Sequence, residues 1–78
     1  MNIENKLINY LKKVSKQKIN QNTNLIEKEY IDSFGIVELI SYIEDTLNLN
    51  CPISKVSTSN FKNIKSIIEF LKKNNKKI

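Results

Sequence analysis

Apolar residues recur at three- and four-residue steps in three separate stretches of this chain, and no segment alternates with period two. Ile3, Leu7, Tyr10, Leu11 and Val14 predict an amphipathic helix over 3–16, with lysines on its wet face. Ile36, Leu39, Ile40, Ile43 and Leu47 predict a second helix from about Ser33 to Leu47, which the Asn-rich turn NLNCP stops because Pro52 forbids its continuation. Ile64, Ile67, Ile68 and Leu71 predict a last helix capped by Asn63, and its closing lysines Lys72, Lys73, Lys76 and Lys77 suit the negative end of the helix dipole. Between Ile53 and Phe61 the segment SKVSTSN is too short and polar for more than one helical turn. The expected fold is all-α: a helical bundle of three main helices and one short helix.

The apolar period fails from Ser15 to Ile31, where the polar cluster NQNTN predicts a long first loop pinned by Ile19, Leu25, Ile26 and Tyr30. A loop of that length in a small domain is uncommon and is often functional. At 78 residues the chain is read as one domain, 1–78, with about 74–78 a frayed basic tail. One cysteine, Cys51, and no histidine exclude an internal disulfide framework and the usual metal and cysteine–histidine constellations, so no metal site is expected. Cys51 itself reads as a small half-buried apolar residue. No apolar run approaches a membrane span, and the N-terminal lysines follow a helical pattern instead of heading an apolar block. A cytoplasmic, unprocessed chain without stable membrane insertion is expected.

The formal charge of +5 raises the possibility of a basic nucleic-acid-binding domain. All thirteen basic residues are lysine, whereas arginine is the residue that reads bases and clamps phosphates. Lysine, asparagine and isoleucine abound together, a bias that AT-rich coding produces without any partner, so no nucleic-acid partner is expected. The placement of charge says more than its sum. Residues 27–50 hold six acids against Lys28 alone, a net −5, while the other twelve lysines face only Glu4 and Glu69, a net +10. An acidic island stands in a basic chain.

That island is centred on the second helix. At about 100° per residue its five apolar positions share one arc, the side expected to be buried. Phe34, Val37, Glu38, Ser41 and Asp45 share the opposite arc, with Glu44 at its edge. Two apolar anchors among acids have the character of a surface for a basic partner, although Phe34 folded back under the loop and a merely solvated acidic face account equally well for the pattern. Ser33 at the helix start is most often just a cap. Asp32 caps equally well, which leaves the Ser33 hydroxyl free, and a phosphate ester there would lie at the positive end of the helix dipole. Gly35, the single glycine, leaves room beside Ser33 for a bulky group.

The stretch DSFGIVEL resembles the attachment motif of acyl and peptidyl carrier proteins, an Asp-Ser-Leu followed by Val-Glu-Leu. A closer resemblance is to the D-alanyl carrier proteins: the Ser-Phe-Gly triplet, Ile43-Glu44, Pro52-Ile53, and Phe61 followed by the cap Asn63 are similar in register from about Ile31 to Ile68. Over the first thirty residues the similarity is weak, and the basic helices depart from the usual acidic carrier.

The resemblance implies an acyl-carrier-like bundle in which Ser33 receives a covalent 4′-phosphopantetheine arm and Asp32 is the flanking acid. It implies that Phe34, Gly35, Val37, Glu38, Ser41, Glu44 and Asp45 belong to the partner-recognition face. The chain would be no enzyme itself but a monomeric carrier that holds a D-alanyl-like aminoacyl or acyl group as a thioester. Its partners would be a phosphopantetheinyl transferase, an adenylating ligase and a downstream acyltransferase. A fatty-acid or specialised-metabolite acyl carrier is the alternative within the class. An unmodified helical interaction module is the alternative outside it.

Overall fold

The computed structural model describes residues 2–76. Three α-helices, α1 (Ile3–Ser15), α2 (Ser33–Asp45) and α3 (Ile64–Asn74), are joined by a long first loop and by a segment carrying one 3₁₀ turn, Ile53–Lys55; the described residues contain no strand. The all-helical expectation therefore holds, as does the single short turn after Pro52.

Each helix begins with a side-chain cap. Asn2, Asp32 and Asn63 accept hydrogen bonds from the N–H groups of Asn5, Gly35 and Ser66, satisfying donors that have no partner within the helix. The ends differ from expectation by one or two residues. α1 stops at Ser15, whose hydroxyl donates back to the Leu11 carbonyl while Lys16 turns left-handed. α2 stops at Asp45, two residues before Leu47: the Leu47 N–H donates to the Tyr42 carbonyl in a wider closing turn, and Asn48 adopts a positive φ that asparagine tolerates.

The core is built from Leu7 and Leu11 of α1, Leu39, Ile40 and Ile43 of α2, and Ile64, Ile67, Phe70 and Leu71 of α3, closed by Leu25, Leu47, Cys51 and Phe61. Phe61 and Phe70 meet edge to face with ring centroids 5.9 Å apart. Ile36 and Ile68 are only partly buried against this core. One expectation fails: Val14, on the α1 stripe, is 57 % exposed at the rim of the cleft it shares with Gly35. Ile53 is 62 % exposed on its 3₁₀ turn.

α1 runs one way and α2 and α3 the other. Tyr10 of α1 stacks on Tyr42 of α2 and the Tyr42 hydroxyl reaches the Lys6 carbonyl, while Leu11 and Val14 share a cleft with Gly35, so α1 is antiparallel to α2. α3 starts beside the first loop and ends beside the segment that leaves α2. At its start, Leu25 N–H donates to the Lys62 carbonyl and Lys65 N–H to the Gln21 carbonyl. At its end, the Asn75 amide both accepts from the Asn50 N–H and donates to the Asn50 carbonyl. The helix extends to Asn74 and Asn75 is tied to Asn50; Lys77 and Ile78 of the expected tail lie outside the described residues.

The first loop is pinned as expected. Ile19, Leu25 and Ile31 are buried, and Ile26 and Tyr30 pack against the core. Its last part winds into a turn in which Asn24 accepts from the Glu27 N–H and Tyr30 N–H donates to the Leu25 carbonyl, with Glu29 left-handed at φ 58°. This turn delivers Asp32 and Ser33 to the start of α2.

Candidate functional site at the start of the second helix

The cap belongs to Asp32. Its backbone is extended, its Oδ1 accepts from the Gly35 N–H at 2.8 Å, and its carbonyl accepts the first helical bond from Ile36. Ser33 is therefore the first helical residue, not the cap, and it is exposed. Its hydroxyl stands at the positive end of the helix dipole without being consumed by capping.

Gly35 serves a different purpose from the one its sequence position suggests. A Cβ there would lie 2.9 Å from Ile31 Cγ1 and 3.3 Å from Asp32 Oδ1. The space beside Ser33 is already occupied by the buried Ile31, and the glycine lets the incoming loop close against the first turn of α2. The opening next to Ser33 lies on the other side, a concavity of about 440 Å³ bounded by Ile26, Glu29, Ile31, Ile36 and Thr58.

The opposite arc of α2 is open. Phe34 is 70 % exposed and Val37 48 % exposed, so Phe34 does not fold back under the loop. Glu38, Ser41, Glu44 and Asp45 are exposed alongside them. Phe34, Val37, Glu38, Ser41, Glu44 and Asp45 share it, whereas Gly35, expected there too, turns toward Ile31 and the cleft with α1.

Sequence reasoning placed Tyr10 on the α1 stripe and gave Tyr42 no role. The structure stacks their rings 4.2 Å apart at 21°, beside Glu38. Burial raises the Tyr10 hydroxyl pKa, with the charge of Glu38 and the neighbouring Tyr42 adding to the effect. Thr58 and Glu29, which no short-range pattern marks, line the same concavity as Ser33. Tyr42 lies on α2 between the core arc and the wet arc, where a helical wheel assigns no side.

Cys51 is fully buried, not half-buried, and burial, with a smaller contribution from Glu44, pushes its thiol up to about 11. Among the described residues no group of three metal-ligating side chains gathers. No described helix is long and apolar enough to cross a membrane.

Comparison with models of known families and with curated proteins finds no match to this chain.

Proposed function

We propose that the chain is a carrier domain whose Ser33 bears a 4′-phosphopantetheine arm and whose α2 face is docked by the enzymes that load and unload it. The observation that carries this reading is the division of labour at the start of α2: Asp32 makes the cap, leaving the exposed Ser33 hydroxyl at the helix N-terminus beside an acidic face with exposed Phe34 and Val37. The short bundle, with α1 set against α2 and α3, and the long first loop support an acyl-carrier-like arrangement, and residues 1–78 act as one such domain.

In loading, a transferase removes the Ser33 Oγ proton. Oγ forms a bond to the pyrophosphate phosphorus of coenzyme A that bears the pantetheine, and the bond from that phosphorus to the bridging oxygen breaks. The adenosine bisphosphate leaves. The chain binds no nucleotide in this scheme: a separate ligase adenylates the cargo and passes it to the arm's thiol, and an acyltransferase takes it away. Partners with basic surfaces are drawn to Glu38, Glu44 and Asp45. The favoured cargo is a small aminoacyl unit. The interior of the bundle is filled by Leu39, Ile43, Phe61 and Ile67, all fully buried, which supports a cargo carried outside the core. The proposed setting is the cytoplasm, as a monomer.

Intact mass before and after incubation with coenzyme A and a broad-specificity phosphopantetheinyl transferase tests the reading. A gain of one phosphopantetheine on the peptide containing Ser33, lost in Ser33→Ala with helix content unchanged, is expected. An unmodified, folded protein with a competent transferase refutes it and leaves α2 as the docking face of an unmodified interaction module.

A further inference from the structure

The positive charge of the chain is unevenly spread along the bundle. Residues 5–26 hold Lys6, Lys12, Lys13, Lys16 and Lys18, residues 46–68 hold Lys55, Lys62 and Lys65, and neither stretch contains an acid. Far apart in sequence, the two are joined in the fold, where the Leu25 N–H donates to the Lys62 carbonyl and the Lys65 N–H to the Gln21 carbonyl. The end of α1, the first loop and the start of α3 thus gather Lys12, Lys13, Lys16, Lys18, Lys62 and Lys65, all exposed, at one end of the bundle. There the loop carries a shallow concavity of about 490 Å³, bounded by Lys18 and Lys28 with Asn20, Asn22 and Thr23. Glu29 and Asp32 lie on the other flank of α1, lining its cleft with α2, and Glu27 is turned to the Asn24 amide. At the opposite end, Lys6, Lys72, Lys73 and Lys76 stand among Glu4, Glu44, Asp45 and Glu69, and the charges cancel.

We infer that the lysine-bearing end of the bundle docks the chain on the surface of an anionic lipid bilayer, held at the headgroups with no helix inserted. Charge complementarity selects the occupant. Six ammonium groups on long, flexible side chains, spread over two helices and a loop, suit a laterally extended sheet of negative charge that asks for no single geometry. Nucleic acid suits them less. The chain has no arginine to fork onto phosphates and bases, and the rings at this end are not free to stack, since Phe61 is fully buried and Tyr30 packs against the core. A coding bias toward lysine explains the number of these residues and not their gathering at one end. Ser33 opens α2 at the same end, so docking brings the candidate site close to the headgroups. The inference stands beside the carrier reading and does not depend on it.

The test is flotation of the unmodified full chain with vesicles of phosphatidylglycerol and phosphatidylcholine in equal parts, with pure phosphatidylcholine vesicles as the comparison. Binding to the mixed vesicles alone is expected, with release as salt is raised. Lys16→Gln, Lys18→Gln and Lys65→Gln together should weaken it by about fivefold for each lysine removed, on the order of 100-fold in all. Lys6→Gln, Lys72→Gln and Lys73→Gln together remove the same charge from the opposite end and should weaken it less than about fivefold. All six side chains are exposed and the Lys65 N–H is kept, so circular dichroism should show both triple variants folded. Equal losses in the two variants, equal binding to pure phosphatidylcholine, no binding to either vesicle, or tighter binding to a single-stranded oligonucleotide at equal phosphate would each overturn the inference. Ser33 takes no part in the assay: vesicle binding without Ser33 modification would sink the carrier reading alone, and modification without vesicle binding would sink this inference alone.

Discussion

Replacing Gly35 with alanine sets two effects of similar size against each other. Alanine is favoured over glycine in a helix by up to about 1 kcal/mol, and by less in a first turn. Against that, the new Cβ would stand 2.9 Å from Ile31 Cγ1 and 3.3 Å from the Asp32 oxygen that makes the cap. Cγ1 is an inner atom of a β-branched, buried side chain, so it cannot swing aside as a flexible tip would. Overpacking of this kind costs about 1–3 kcal/mol, which exceeds the propensity gain. The expected net destabilisation is about 1 kcal/mol, read as a melting midpoint about 4–8 °C lower for a domain of this size. Circular dichroism melts of wild type, Gly35→Ala, Ile31→Ala and the double variant, all in one sucrose concentration to keep the weaker proteins folded, form a cycle that isolates the contact. Gly35→Ala should be harmful with Ile31 present and neutral or helpful with Ile31→Ala. A raised midpoint in the wild-type background, or the same shift in both backgrounds, would refute the close-packing account.

Asp32→Ala removes the cap of α2 and should cost about 0.5–2 kcal/mol in denaturant unfolding, whereas Ser33→Ala, at an exposed position that caps nothing, should stay within about 0.5 kcal/mol of wild type. Phe61→Ala empties the centre of the core and should cost about 3–5 kcal/mol, enough to leave so small a domain largely unfolded by far-ultraviolet circular dichroism. The Cys51 thiol, raised from 9.0 to about 11 in the folded chain, ionises more readily once unfolded, so the unfolded state binds fewer protons across that window and stability falls as pH rises from about 9 to 11. Denaturant titrations over that range should show a shallower fall for Cys51→Ala, and the wild-type thiol should resist alkylation at pH 8 unless denaturant is present; fast native alkylation contradicts the burial.

The three helices and two of their caps were legible because apolar spacing and capping residues are local signals: Asn63 and Asp32 cap as their neighbours dictate. Periodicity names a side of a helix without telling whether anything lies against it. Val14 continues the α1 stripe only to the rim of the cleft facing Gly35, and the pattern leaves Phe34 two equal accounts, which the packing of the loop through Ile31, Ile26 and Tyr30 decides. Gly35 illustrates the same limit. Its missing side chain implied space, and only the position of Ile31 shows that the loop uses that space. The asparagine clasp between Asn50 and Asn75 and the tyrosine stack join residues distant in sequence, where no short-range pattern marks the pairing.

The first loop takes its shape partly from the far end of the chain. Leu25 and Gln21 exchange backbone hydrogen bonds with Lys62 and Lys65, so the turn that presents Ser33 is stitched to the start of α3. Closing contacts over such separations costs chain entropy before any bond repays it. During synthesis, a nascent chain that has not yet extended past residue 65 therefore holds Ser33 on an unstitched loop. The geometry at the start of α2 is therefore complete only once α3 has docked, so the third helix governs a turn far from it in sequence.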